Sequence, residues 1–348
     1  MTNSITKESV LDALSLVQEP ELHKDLVTLN MIQDIEIEGS TVSFTIILTT
    51  PACPLKSMIE KQAQNAVKTL PGVEKVNIKM GSNVPSDGRD RGTMEIPVRN
   101  VVAIASGKGG VGKSTVTVNL AIALAKSGAR VGLMDADIYG PNIPTMMGIN
   151  HIPSSKNNKI APAVSYGVKI MSMGFLVKPG QPLIWRGPML TSAIRQFISD
   201  VEWGELDYLL VDLPPGTGDV PLSLAQALPL SGVVIVTIPQ SVSLEDASRG
   251  LEMFKTLDVP ILGVVENMRG EIFGAGGGED MARIAGVEFL GAVPMDSHVR
   301  IGGDSGKPVI DYEPESEVSK TFVTIAQRVA AKLSIAAHEN RSPEINVV

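Results

Sequence analysis

The segment Gly107-Lys-Gly-Gly-Val-Gly-Lys113-Ser114 has the residue types and spacing to hold phosphate. Its glycines let successive backbone N–H groups turn toward one anion, and a following helix adds the partial positive charge of its N-terminus. The segment lies between an apolar strand pattern, Val101–Ala105, and a helical stretch reaching about Lys126, which is the setting a phosphate loop requires. In such a loop Gly107, Lys108, Gly109, Gly110, Val111 and Gly112 line the phosphates. Lys113 reaches the β- and γ-phosphates, Ser114 offers a hydroxyl to Mg²⁺, and Thr115 makes a further contact near the α-phosphate.

Acidic segments follow at strand ends, where a Mg²⁺-nucleotide needs them. Asp135-Ala-Asp137 closes one strand pattern and Asp212-Leu-Pro-Pro-Gly216 another. A carboxylate at the end of an apolar strand beside a phosphate loop commonly holds magnesium through water. Asp212 is the candidate for that role, Asp135 supports the metal shell, and Asp137 is placed to orient an attacking water. The alternative is that these aspartates cap loops. A guanine site commonly uses Asn-Lys-x-Asp, and the nearest stretch, Asn158-Lys-Ile-Ala161, fails at its last position, so ATP is favoured over GTP. Asn267, at the end of a strand pattern, is a candidate for the adenine edge or a simple turn residue. The Pro294-Met-Asp296 turn forms the other wall of a base site.

These groups need a frame. Short continuous apolar runs at Val101–Ala105, Val131–Met134, Tyr208–Val211, Val233–Ile238, Ile261–Val265 and Phe289–Val293 alternate with helical stretches. Strands of that kind are buried on both faces, which predicts an α/β fold with a mainly parallel sheet and ligands at its carboxyl edge. Ahead of it, Val10, Leu11, Leu14 and Val17 have helical spacing, and Val42, Phe44, Ile46 and Leu48 alternate as in a half-buried strand. A second helix follows Cys53 with Leu55, Met58, Ile59, Ala66 and Val67 on its apolar face, and Val76, Ile78 and Met80 close the module. The expected organisation is a small α+β domain over 1–82, a polar linker over 83–96, the larger α/β domain over 97–338, and a tail over 339–348.

Composition excludes several classes. The chain has 348 residues, 43% hydrophobic and 20% charged, enough to bury real cores. Thirty Lys+Arg against 38 Asp+Glu gives a net charge of −8, which disfavours nucleic acid and anionic membrane surfaces as partners. No apolar run approaches a membrane span, and the polar start lacks the apolar segment of a signal peptide, so a cytoplasmic protein is expected. His23, His151, His298 and His338 show no metal-ligand spacing, and the fifteen methionines read as packing residues. Cys53 is the one cysteine, so a single chain can form neither a disulfide nor a four-thiolate site. Pro54 suits a first helical position, which puts Cys53 at the N-cap, where the helix dipole and Lys56 favour a thiolate ligand; the alternative is a packed, inert thiol.

At Lys108-Gly-Gly-Val-Gly-Lys113-Ser-Thr115 the chain resembles the deviant phosphate-loop ATPases, the MinD/ParA group. With Asp135-Ala-Asp-Ile-Tyr-Gly-Pro-Asn-Ile-Pro144, Trp185-Arg-Gly-Pro188 and Asp212-Leu-Pro-Pro-Gly-Thr-Gly-Asp219 it is similar to the Mrp/ApbC branch, which is associated with iron–sulfur cluster carriage. Glu19-Pro-Glu21 and Thr49-Thr-Pro-Ala-Cys-Pro54 resemble the small MIP18-like domain often fused to that branch. The resemblance implies a three-layer α/β/α P-loop NTPase that works as a homodimer, in which Lys108 reaches across to the partner's phosphates. Lys108, Lys113 and Asp137 then serve hydrolysis, ATP and Mg²⁺ are the cofactors, and an iron–sulfur cluster passes to scaffold or client apoproteins. The chain departs from the branch where a cysteine pair usually follows Asn-Met, because Asn267-Met268 runs into Arg269-Gly-Glu-Ile-Phe-Gly274. A dimer offers two cysteines against the four thiolates that clusters commonly use. An ATP-gated adaptor without a cluster, or a spatial organiser of the MinD/ParA kind, are the alternative readings.

Overall fold

Apolar runs that cannot face water on either side need helices on both faces, and the larger unit meets that need with one wide sheet. The structure, a computed structural model, describes residues 5–87, 97–149, 155, 156, 159–175 and 187–339. Most of the linker, Asn158, Trp185-Arg186 and the tail from 340 lie outside the described residues. The chain divides into two units, residues 1–85 with 334–348, and residues 86–333.

In the first unit, helix α1 (Lys7–Leu14) starts at a capping box in which Thr6 and Ser9 bond each other's backbone. Strands β1 (Ile32–Glu38), β2 (Thr41–Leu48) and β3 (Lys75–Ser82) form a sheet with β1–β2 antiparallel and β2–β3 parallel. Helix α2 (Lys56–Lys68) is the crossover between the parallel pair. Its buried stripe is Ile59, Ala63 and Val67, at helical spacing. Met58, expected on that face, is exposed, because it lies one position off the stripe.

The second unit contains β4 (Val98–Ala105), α3 (Lys113–Lys126), β5 (Val131–Asp135), α4 (Ile143–Met146), β6 (Ala163–Ser165) and β7 (Val168–Ser172). It continues with α5 (Gly187–Asp200), β8 (Leu206–Asp212), α6 (Asp219–Ala227), β9 (Gly232–Thr237), α7 (Ser241–Thr256), β10 (Ile261–Arg269), α8 (Gly277–Ala285), β11 (Phe289–Pro294), α9 (Ser297–Ser305) and α10 (Val309–Tyr312). Helix α11 (Glu317–Glu339) begins in this unit. The sheet order is β6-β7-β5-β8-β4-β9-β10-β11, parallel throughout except for β6–β7. The fold is thus the expected mostly parallel α/β sheet, with β6 and β7 as two strands beyond the six read from apolar runs. Both are short, and Lys169 breaks the apolar run in β7.

Side chains alternate across the sheet. Val101, Ala103 and Ala105 of β4 share a core with Phe197 of α5, Leu224 of α6, Phe254 of α7 and Met281 of α8. Helix α3 contacts β5, β7, β8, β9 and β4, and Val116 through Leu124 are buried almost without interruption. A helix this apolar all round is held by its surroundings and not by propensity, so the loop before it is pinned to the sheet.

Candidate functional site

Strand register alone brings the acidic residues together. Asp212 of β8 pairs with Asp135 of β5, Asp135 pairs with Ser172 of β7, and Asp212 also lies opposite Ile104 of β4. All four strands run in the same direction, so their carboxyl ends form one rim directly below the loop that leaves β4 at Ala105.

That loop needs glycine for backbone reasons. Gly112 is the N-cap of α3 with φ +77°, and a Cβ there would lie 2.2 Å from the Asn267 amide nitrogen. Gly107 abuts α7 so closely that a Cβ would sit 2.1 Å from the Asp246 carbonyl carbon. The amides of the loop are thereby free to converge, at the start of a 14-residue helix.

Lys113 is 6% exposed, and its Nζ lies 2.9 Å from Asp212 Oδ2 and 3.8 Å from Asp137 Oδ2. At these distances the ammonium is ion-paired, yet its Nζ is buried and makes no hydrogen bond that satisfies both donor and acceptor geometry. Ser114 donates its hydroxyl to Asp212 Oδ2 at 2.5 Å, and Thr117 donates to Asp212 Oδ1 at 2.7 Å. Asp212 is fully buried beneath this set. The Ser114 and Asp212 oxygens form a hard donor pair suited to Mg²⁺.

Asp135 is also fully buried. Its carboxylate accepts from Ser172 Oγ at 2.8 Å, Asp137 N at 3.2 Å and Ile143 N at 3.4 Å. Burial and then the charge of Asp212 push its carboxyl well above the usual range. Asp137 uses Oδ1 to accept from Tyr139 N and Gly140 N, which leaves Oδ2 directed toward Lys113. Burial raises its carboxyl too, against the opposing pull of the Lys113 ammonium.

Above the rim lies a cavity of about 550 Å³. Ser106, residues 108–115, Asp137 and Pro215 line it, together with Asn267, which lies against the loop, and with Pro294, Met295 and Asp296. The cavity continues to Asn142 and Met146 near α4 and to Arg300 and Asp304 on α9. Asn267 is 4% exposed and donates from Nδ2 to Val111 O at 2.8 Å, so one of its two amide N–H groups holds the phosphate loop. Lys108 is near the surface, with Nζ 3.4 Å from Gln240 Oε1. The structure therefore gathers the loop residues, Ser114, Asp137, Asp212, Asn267 and Pro294 around one site. Asp135 lies behind it, bonded to protein groups. Sequence reading missed Thr117 and Ser172. Their signals were present: Thr117 stands one helical turn after Lys113, and Ser172 ends a strand.

Residues 97–330 match the family model ParA, described as NUBPL iron-transfer P-loop NTPase, and residues 7–80 match one described as iron-sulfur cluster assembly protein. The chain belongs to this iron-transfer P-loop NTPase family. It is 51% identical over 351 residues to an iron-sulfur cluster carrier protein of Synechocystis, covering 96% of this chain and 99% of that one. It is 38% identical to the carrier protein of Escherichia coli K12, covering 93% and 91%. A nucleotide-binding protein of Archaeoglobus fulgidus in complex with ADP superposes with a TM-score of 0.56 at 38% identity, over 63% of this chain and 90% of that one. The cell division ATPase MinD of Pyrococcus furiosus superposes at 0.55 with 25% identity, over 66% and 98%. The NTPase family and its α/β fold are thus shown, and among the described residues no helix is long and apolar enough to cross a membrane.

Cys53 lies in the region that matches the assembly-protein model, and its placement corrects the reading of an N-cap thiolate. Helix α2 begins at Lys56 with Leu55 at its N-cap, so Cys53 sits in the turn before it. The side chain joins the small unit's core with Val10, Leu48 and Ile59. Burial, with a further push from Glu21 and Glu19, raises its thiol to about 11. The thiol is neutral because desolvation outweighs the backbone hydrogen bonds that favour the thiolate.

Proposed function

We propose that this chain is a Mg²⁺-dependent ATPase that handles iron–sulfur clusters for delivery to apoproteins, working as a pair of identical chains. The observation that carries the nucleotide part is the buried Lys113 ammonium. It lies between Asp212 and Asp137 in ion-pair range but without a well-formed hydrogen bond, beneath a glycine loop at a helix N-terminus. A buried ammonium needs hydrogen bonds as well as nearby charge, and the oxygens of a triphosphate accept the charge-assisted bonds that the two carboxylates beside it do not.

In this reading the amides of Gly107 to Lys113 bind the phosphates, Thr115 adds a contact near the α-phosphate, and the base lies toward Pro294. Lys113 Nζ moves from Asp212 to the β- and γ-phosphates. Ser114 Oγ and Asp212, with Asp135 behind it, would hold Mg²⁺, which when bound neutralises phosphate charge. Asp137 Oδ2 orients the attacking water, and Lys108, half-buried at the mouth, reaches the partner chain's nucleotide. Asn267 acts through the loop, by its bond to Val111 O.

The cargo part is supported by the family and by both matched regions. The test of the nucleotide part is calorimetric titration of Mg-ATP into the Lys113→Ala protein, which should show no measurable binding; undiminished affinity would overturn the reading. The adaptor without a cluster remains a second reading because Cys53 is buried and protonated.

A further inference from the structure

We infer that this chain handles an iron–sulfur cargo only on thiolates supplied by another molecule, Cys53 not being a ligand of the iron. The inference rests on the carrier reading above and specifies the chemistry of its partner.

Thiolate arithmetic comes first. Clusters are commonly held by four thiolates, and a pair of these chains has two cysteines in total. Geometry then removes those two. Cys53 is 9% exposed and belongs to the core cluster that includes Val10, Leu48 and Ile59, so little of the thiol is open to iron. Of its acidic neighbours, Glu19 is itself buried and accepts from Leu22 N, which leaves Glu21. Among the described residues no group of three or more His, Cys, Asp or Glu is placed to hold a metal ion. The remaining residues include no cysteine. Beyond Asn267-Met268 the chain closes on itself, with Gly270 and Gly274 exchanging backbone hydrogen bonds of 2.9 and 2.7 Å. This hairpin displays Ile272 and carries no thiol.

Two sources offer the missing chemistry: a small thiol such as glutathione, or cysteines of an acceptor protein. Either route is thiolate-for-thiolate exchange at iron. Each Fe–S bond broken is replaced by another, the proton of the incoming thiol passes to the outgoing thiolate, and no electron moves, so no oxidant or reductant is required.

The full-length protein would be incubated anaerobically with iron, sulfide and Mg-ATP in three arms, then desalted for iron analysis and visible absorption. The first arm contains a phosphine reductant and no thiol, the second adds glutathione, and the third adds a four-cysteine apoferredoxin in place of glutathione. The inference expects no protein-bound cluster in the first arm. It expects bound cluster in the second if the source is the small thiol, or a faster filling of the ferredoxin in the third, relative to ferredoxin alone, if the source is protein. A stoichiometric, stable cluster in the thiol-free arm would overturn the inference and leave the carrier reading standing. No effect in any arm would overturn the carrier reading itself, and the inference with it.

Discussion

Asn267→Ala separates two roles for one side chain. Asn267 Nδ2 donates to Val111 O at 2.8 Å, inside the phosphate loop, and the residue is 4% exposed. Removing the donor strands a buried carbonyl, at a cost of about 1–3 kcal/mol. If the loop loosens in the free protein and is ordered again by ligand, as much as that moves into binding, a weakening of about 5- to 150-fold. In the proposed site the loop contacts phosphates only, so the loss should be the same for Mg-ATP and for Mg-tripolyphosphate, which has no base. Calorimetric titration with both ligands reads the comparison. Tripolyphosphate binding that stays unchanged while ATP binding falls would show that the amide reads adenine, and would refute the argument from Val111.

The remaining predictions concern the loop glycine and the buried thiol. Gly112→Ala combines a left-handed φ of +77° with a Cβ 2.2 Å from Asn267 Nδ2, so it should cost about 2–4 kcal/mol in stability and displace Asn267, measured by urea unfolding and by loss of Mg-ATP affinity. With its thiol at about 11, Cys53 has a thiolate fraction of about one in ten thousand at pH 7, so iodoacetamide should label native protein far more slowly than urea-unfolded protein, with the rate rising until the pH nears 11. The folded thiol keeps its proton to higher pH than the unfolded one, whose ordinary value is 9.0. Its contribution to stability is therefore full below pH 9 and declines as pH rises toward 11, a trend that the difference between wild type and Cys53→Ser in alkaline unfolding measures.

The parallel sheet was legible because burial on both faces writes continuous apolar runs, and the phosphate loop because Gly110 and Gly112 answer to a left-handed backbone and Gly107 to the close approach of α7. The positions of Asp135 and Asp212 at strand ends were visible for the same reason. Their division of labour was not, because it depends on register: Ser172 and Ile143 N come to Asp135 from elsewhere in the chain and engage the carboxylate. Strand β7 went unread because Lys169 interrupts it, its ammonium bonded to the Trp203 carbonyl, a partner 34 positions away. Asn267 fitted a base contact or a turn equally well in sequence, and only the 156-residue span to Val111 distinguishes its donor's partner. Cys53 was misplaced because Pro54 is compatible with a first helical turn and also with the irregular turn that the chain adopts, and the demands of core packing select the second.

A crystal structure of the full chain with Mg²⁺ and a non-hydrolysable ATP analogue tests the central claim most directly. The account predicts the triphosphate within hydrogen-bond reach of the loop amides, with Lys113 Nζ shifted from Asp212 to the β- and γ-phosphates and the base toward Pro294. Analogue bound elsewhere, or a Lys113 that stays on Asp212 with the loop unoccupied, would contradict it.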